Sequence, residues 1–385
     1  MQVKFNYQYY INETETETYQ YLFKQCVCKK IAYQKQDIGA VIQFAELHQS
    51  KGQYVALYLP YEAASYFNDQ LATVTSDSAF VYAAAYVFEA VHDSINEQNG
   101  TYQRKYNFEF QYAHAQMIEH IKQVQKAIVE GNTYQVNYTT RLSDDIQGPI
   151  SELYHVLQGG NHGHYSALID TEEVQIASLS PELFFQYGPF KNQSNIVLSK
   201  PMKGTIARGE TELEDKEHFE KLRNSTKDRA ENVMIVDLLR NDISRVANTG
   251  TVKVYQPFHI EKYQTVYQMT SMVTGQLPNH MCLLRVLEAI FPCGSITGAP
   301  KLNTMKYIKQ LEQTPRNGYC GTIGLLLPDG KSIFNVPIRT IQYINGKAVY
   351  GVGAGITIDS DPESEVQEFI AVSYTHLTLP TIYSV

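Results

Sequence analysis

Four stretches of this chain hold residues whose types and spacing could do chemistry. In Ser199-Lys-Pro-Met-Lys-Gly-Thr205, Lys203 precedes a glycine, which lets a ligand approach the backbone, and Thr205, which offers a hydroxyl. In Lys227-Asp-Arg-Ala-Glu-Asn-Val-Met-Ile-Val-Asp-Leu-Leu-Arg-Asn-Asp242, several carboxylates accompany an apolar helical face. In Pro292-Cys-Gly-Ser-Ile-Thr-Gly-Ala-Pro-Lys301, small residues lead towards a helix N-terminus, where backbone N–H groups suit an anion. The order and spacing are not those of a Walker loop. In Gly351-Val-Gly-Ala-Gly-Ile-Thr-Ile-Asp-Ser-Asp-Pro-Glu-Ser-Glu-Val-Gln-Glu368, a glycine-rich turn leads into an acidic helix start, and Glu365 and Glu368 share one helical face. Taken singly, each stretch also has a bland reading: an exposed turn, a solvated charged face, or carboxylates complementing a helix dipole.

The elements that must position these residues are legible mainly beyond residue 112. Met117, Ile118, Ile121, Val124, Ile128 and Val129 recur at helical spacing, and Gly131 follows as the residue that ends the helix. Tyr134 to Arg141 alternates and reads as a strand. One long helix is expected from about Glu214 to Arg240, and another after Pro300, with that proline near its first turn. Strands are expected at Val174–Leu179, Ile196–Leu198, Thr322–Leu327, Ser332–Thr340 and Ala348–Val352. Pro328-Asp-Gly330 and Asn345-Gly346 are short turns, which favours antiparallel sheets with helices outside, an α+β arrangement. Before residue 113 the signals are weaker. Tyr54–Leu59 reads as a strand, Phe80–Val91 could be strand or helix, and His92–Arg104 reads as a connection.

The chain has 385 residues and a formal net charge of −8, with 43% apolar and 19% charged residues. This is a globular composition, large enough for a core without disulfide or metal staples. The acidic balance argues against a nucleic-acid partner. The start carries no apolar secretory segment and no run is long enough to span a membrane, so a cytoplasmic protein is expected. Five scattered cysteines show no zinc-finger spacing.

In this order, the four stretches resemble the chorismate-utilising enzymes, from about Tyr112 to Glu368. The resemblance implies a two-lobed α/β sandwich of large, mostly antiparallel sheets with helices packed outside. It also implies chorismate as substrate and Mg²⁺ as cofactor, held by Glu231 and Glu368 with Glu365 acting partly through water. Members that add water to the ring carry a lysine where this chain has Gln135, which is no useful base at neutral pH. Members that aminate at C4 carry a lysine where this chain has Lys203, and those that make anthranilate usually carry alanine there. The resemblance therefore implies amination of chorismate at C4 to 4-amino-4-deoxychorismate, towards 4-aminobenzoate and folate, with Lys203 as covalent nucleophile and Glu182 as general acid. By the same likeness Arg339 grips a substrate carboxylate and Tyr319, Gly353, Ala354 and Gly355 are neighbouring contacts. Thr205, Gly294, Ser295, Thr297 and Gln268 are assigned to the same pocket, Gln268 standing where many relatives have histidine.

No glutaminase nucleophile motif is found, so ammonia is expected from a separate glutamine amidotransferase subunit. An anthranilate synthase component I is the alternative, although no Leu-Leu-Glu-Ser element is present. A catalytically impaired chorismate-binding partner of the amidotransferase is the second alternative, and the chain's end is its motive. Relatives carry a lysine one turn after the position of Glu368, where this chain has Val372. Residues 373–385 contain Pro380 and show no helical period. The expected organisation is an N-terminal portion over 1–104, a chorismate-binding region over 105–372 and an atypical tail over 373–385.

Overall fold

The computed structural model describes residues 1–75, 80–92, 107–146, 148–158, 163–263 and 265–377. Two large sheets dominate. The first runs, in spatial order, through Gly298–Ala299, Gln135–Asp144, Lys347–Ile356, Thr340–Ile344, Gln175–Ser180, Tyr165–Asp170, Gln2–Tyr10 and Thr16–Phe23. The second runs through Met202–Ala207, Val266–Gln276, Gln193–Lys200, Leu183–Phe190, Ser332–Asn335, Thr322–Leu326, Tyr54–Leu59, Ala83–Phe88 and Cys28–Ala32. Short strand Glu109–Phe110 pairs beside the first sheet and Lys253–Lys262 beside the second. The pairings are antiparallel throughout. The N-terminal residues are woven into both sheets.

Alternation along each strand sorts its side chains into two layers. Val55, Leu57 and Leu59 turn towards Ile38, Val41, Ile42 and Ala45 of the helix Ile38–Ser50. Ala56 and Tyr58 turn the other way and meet Val3, Phe5, Tyr7 and Tyr9 of the opposite sheet. Tyrosine, which occurs 29 times in the chain, is well represented in this inter-sheet layer. Buried hydroxyls and amides there need partners, and they find them across the layer. Tyr7 donates to the carbonyl of Ile323 at 2.9 Å, and Asn335 donates to that of Tyr165 at 3.0 Å. The Gln186 amide accepts from the Tyr10 N–H at 2.7 Å and donates to the Tyr10 carbonyl at 2.8 Å.

Several elements differ from their sequence expectations. The long helix expected over 214–240 is two, Glu212–Asn224 and Thr226–Ser244. Ser225 separates them in an extended conformation, and its hydroxyl accepts from the Asp228 N–H at 3.2 Å, a helix N-cap inside the apolar pattern. The single strand expected over 332–340 is also two, Ser332–Asn335 in the second sheet and Thr340–Ile344 in the first, with Pro337 in the crossing. Pro300 lies at the N-cap of Lys301–Glu312, just outside its first turn. The ambiguous 80–91 segment contains a fully buried strand, Ala83–Phe88. Asn345 and Gly346 have φ of 51° and 80°, the left-handed pair of a tight hairpin. All of the 92–104 connection after His92 lies outside the described residues. The final helix runs Pro362–Leu377, so residues 373–377 are helical, contrary to the expectation for the tail. Ser373 donates to the Phe369 carbonyl at 2.6 Å and Leu377 is buried, so local side-chain bonding and burial extend the helix beyond its apolar period. Residues 378–385 lie outside the described residues.

Candidate active site

Lys203 sits on a β-bulge. Met202 pairs opposite Thr270 and Thr205 opposite Gln268, so Lys203 and Gly204 together face the single residue between them. A bulge re-aims a side chain and interrupts the ladder. Gly204 adopts φ +89°, and a Cβ there would come within 2.9 Å of Asp228 Cβ on the helix Thr226–Ser244. Glycine is needed at this position on both counts.

The expected glycine-rich turn is instead the end of the strand Lys347–Ile356. Gly351, Gly353 and Gly355 alternate along it, and their role is to let neighbours approach. A Cβ at Gly351 would strike the Tyr319 ring at 2.4 Å, and one at Gly353 the Tyr138 carbonyl at 2.3 Å. One at Gly355 would lie 1.9 Å from Gln135 Nε2 and 3.2 Å from Lys203 Nζ. Gln135, Lys203 and Gly355 therefore converge on one point, beside half-buried Ala354. Gln135 is 1% exposed and neither end of its amide has a hydrogen-bond partner.

Glu182 lies where the chain crosses from Gln175–Ser180 in the first sheet to Leu183–Phe190 in the second. Its N–H donates to Ser180 Oγ at 3.1 Å and its carbonyl accepts from the Val336 N–H at 3.1 Å, which fixes the crossing. The side chain is buried and its Oε1 lacks a partner. Burial pushes its pKa up to about 7, against the opposing effects of the Ser295 hydroxyl and the Lys203 charge. Arg339 lies on the crossing back to the first sheet, with φ 52°. Burial lowers its pKa, and the hydroxyls of Tyr350 and Tyr263 oppose that effect. Its guanidinium donates no hydrogen bond to a described residue.

Glu231 is on the helix Thr226–Ser244, and Glu365 and Glu368 are on Pro362–Leu377. Burial raises the pKa of Glu231, and Asp228 and Glu365 add to it while Lys203 and Lys227 oppose it. Burial and then Glu365 raise that of Glu368, and Lys227 opposes. The two helices thus bring Glu231 within electrostatic reach of Glu365 and of Lys203, and Glu365 links it to Glu368. Among the described residues, no group of three or more His, Cys, Asp or Glu side chains is placed so that it could by itself hold a metal ion. Glu231 and Glu365 are half-buried and Glu368 is exposed, and such open, mutually repelling carboxylates fit a hard cation that keeps water and substrate oxygens in its shell.

Other expected pocket residues already have internal bonds. Thr297 donates to the carbonyls of Cys293 and Gly294 at 3.1 and 3.3 Å and is fully buried. Ser295 Oγ lies 3.2 Å from Cys293 Sγ, and Gly294 packs so closely on Leu238 that a Cβ would come within 2.5 Å of it. Thr205 and Gln268 bond to each other at 2.7 Å. The Tyr319 ring is buried with the Arg141 guanidinium 5.5 Å from its centroid. The small-residue stretch does not aim its N–H groups at open space throughout, because Gly298–Ala299 pairs with Gln135–Val136.

A buried charge cluster that sequence reasoning missed lies behind these residues. Buried Glu312 accepts from Arg141 Nη2 and Arg316 Nε, each at 2.9 Å, and from the Thr139 N–H at 3.0 Å. Arg316 donates onward to the carbonyls of Ile296 and Asn137, both at 2.7 Å. The cluster ties the Gln135 strand to the Pro292–Lys301 stretch. Arg141 is far from the other two in sequence, whereas Glu312 and Arg316 are four residues apart, and the three match no motif. A surface concavity of about 330 Å³ that includes Tyr58, Glu173, Asn317 and Gln342 contains none of the candidate residues. Among the described residues, no helix is long and apolar enough to cross a membrane.

Residues 7–372 match the family described as chorismate binding enzyme. Aminodeoxychorismate synthase component 1 from Escherichia coli is 41% identical over 250 residues, covering 65% of this chain and 54% of that protein. Its Bacillus subtilis counterpart is 38% identical over 254 residues, covering 66% and 52%. Anthranilate synthase component 1 from Aquifex aeolicus is 36% identical over 250 residues, covering 65% and 50%. The chain spans about half the length of the curated relatives it matches. Among solved structures, anthranilate synthase component I from Streptococcus pneumoniae superposes with a TM-score of 0.76 at 22% identity, covering 98% of this chain and 90% of that one. The menaquinone-specific isochorismate synthase from Escherichia coli gives 0.73 at 15% identity, covering 98% and 88%. These likenesses establish the two-sheet α+β fold.

Proposed function

The chain belongs to the chorismate binding enzyme family, and we propose that within it the chain aminates chorismate at C4, giving 4-amino-4-deoxychorismate. The observation that carries this reading is Lys203, held on a bulge with its amine facing Gly355 and the unpartnered Gln135 amide. An amine there is a nucleophile, whereas an amide cannot activate water. The similarity to the aminodeoxychorismate synthase components supports the same reading.

In this mechanism the neutral amine of Lys203 attacks ring carbon C2. Both ring double bonds shift, C1=C2 to C1=C6 and C5=C6 to C4=C5, and the C4 hydroxyl leaves as water, taking the proton of Glu182. The adduct nitrogen returns a proton to Glu182. Ammonia then attacks C4, both double bonds shift back, and the departing lysine nitrogen takes the proton that ammonia gives up. Arg339, whose planar fork is unoccupied by described residues, orients a substrate carboxylate. Glu231 and Glu368, with Glu365, would hold Mg²⁺, which when bound neutralises the ring carboxylate.

The test is an incubation with chorismate, Mg²⁺ and ammonia, with the products separated and identified. 4-Amino-4-deoxychorismate is expected. Anthranilate as main product would replace this reading with the anthranilate synthase one. Glutamine should serve as nitrogen source only when a separate glutamine amidotransferase subunit is added.

A further inference from the structure

We infer that Gln268 is a positioning residue that clamps the Lys203 bulge, and not a substrate contact. The inference rests on the proposed role of Lys203. A bulge leaves backbone groups outside the ladder, and at this half-buried position such a group is best satisfied by another partner. Gln268 supplies one. Its Nε2 donates to the Gly204 carbonyl at 2.9 Å, and its Oε1 accepts from Thr205 Oγ1 at 2.7 Å. Both ends of the amide are therefore committed to the two residues that follow Lys203. The side chain is itself buried, in the central strand Val266–Gln276, which pairs with three others. From the other side Asp228 abuts Gly204. The bulge is thus held between a strand amide and a helix, and the direction of Lys203 follows from that grip. Only a side chain with a donor and an acceptor on one short fork can satisfy both partners.

The experiment compares Gln268→Leu, Gln268→Glu and Thr205→Val in the full chain, with thermal unfolding as the check on folding. One readout is kcat and KM for chorismate. The other is competitive labelling of the Lys203 amine by acetic anhydride across pH, measured by peptide mass spectrometry without substrate. Gln268→Leu should lower kcat by about tenfold with KM changed by less than about twofold. It should also alter the labelling rate and pH midpoint of Lys203. Gln268→Glu, which accepts from Thr205 but cannot donate to Gly204, should behave like the leucine variant. Thr205→Val should move the same readouts in the same direction by less, and should add little to Gln268→Leu. If Gln268→Leu fails to fold, the other two variants carry the comparison. A raised KM with kcat and labelling unchanged would make Gln268 a substrate contact and overturn the inference, as would wild-type behaviour in all variants. Altered labelling in a chain that makes no 4-amino-4-deoxychorismate would keep the clamp and overturn the activity reading instead.

Discussion

At pH 7 Glu182 is close to half-protonated, because burial lifts its pKa from 4.5 to about 7. That suits a group asked to give a proton to a leaving hydroxyl. It also has a cost in stability. Between pH 4.5 and 7 the folded state binds more protons than the unfolded one, so stability falls as pH rises through this window. Glu182→Gln removes the titration. It should abolish C4 amination while raising stability at pH 8 by up to about 3 kcal/mol relative to its stability at pH 4, measured by urea unfolding at both pH values. An unchanged pH dependence of unfolding would show that Glu182 is not the group lifted by burial. The carboxylates on the two helices should behave differently. Glu231→Ala or Glu368→Ala should remove Mg²⁺-dependent activity and leave the thermal midpoint within a few degrees of wild type, since Glu231 is half-buried, Glu368 is exposed, and each loses repulsion from Glu365. Activity that persists without Mg²⁺ in either variant would remove them from the metal site.

Elements set the reach of these side chains. The strand Lys347–Ile356 uses alternate glycines to admit Tyr319, Tyr138 and Gln135, whereas the bulge at Gly204 uses glycine for its backbone conformation. The two kinds of glycine make opposite predictions. Gly355 has no left-handed φ, and an alanine there would press on the far ends of the flexible Gln135 and Lys203 side chains. Gly355→Ala should therefore cost less than about 1 kcal/mol of stability yet lower kcat/KM by more than about tenfold, read by unfolding and steady-state assays. Gly204→Ala strains a +89° φ and meets Asp228, so it should lose both stability, by about 1–3 kcal/mol, and activity. Equal stability loss in the two variants would contradict this division. The helix break at Ser225 belongs to the same scale, because it starts the helix that carries Asp228 and Glu231 beside the bulge.

Across the whole molecule, two sheets are locked face to face by a tyrosine-rich layer and by buried polar pairs. The Glu312 cluster is the most exacting of these pairs. Its single carboxylate pairs with both Arg141 and Arg316, all three being almost fully buried. Removing one partner of a buried ion pair strands the others in a medium that solvates them poorly. Glu312→Gln should therefore destabilise the protein by about 3–5 kcal/mol in denaturant unfolding. It should also disturb the site from behind, since Arg316 bonds to the carbonyls of Ile296 and Asn137. A loss below about 1 kcal/mol would show that the arginines find other partners.

The sequence by itself determined the family, the α+β class and several of the helices and strands, and it singled out Lys203, Glu182, Arg339 and the acidic helices as candidates. Local information suffices for these, because side-chain periodicity and short motifs are properties of neighbouring residues. Residue order could not show that the helix over 212–244 is broken at Ser225, because a capping serine within an apolar pattern resembles any exposed serine. Nor could it show that the chain changes sheets between Asn335 and Thr340, since alternation says nothing about which sheet a strand joins. Tertiary structure alone decided that the glycines of 351–355 line a strand, that Gln268 grips the bulge, and that Glu312 meets two arginines. The glycines and Gln268 depend on pairing register, where shifting a strand by one residue would turn these positions to the opposite face, and the Arg141–Glu312 contact joins segments distant in sequence.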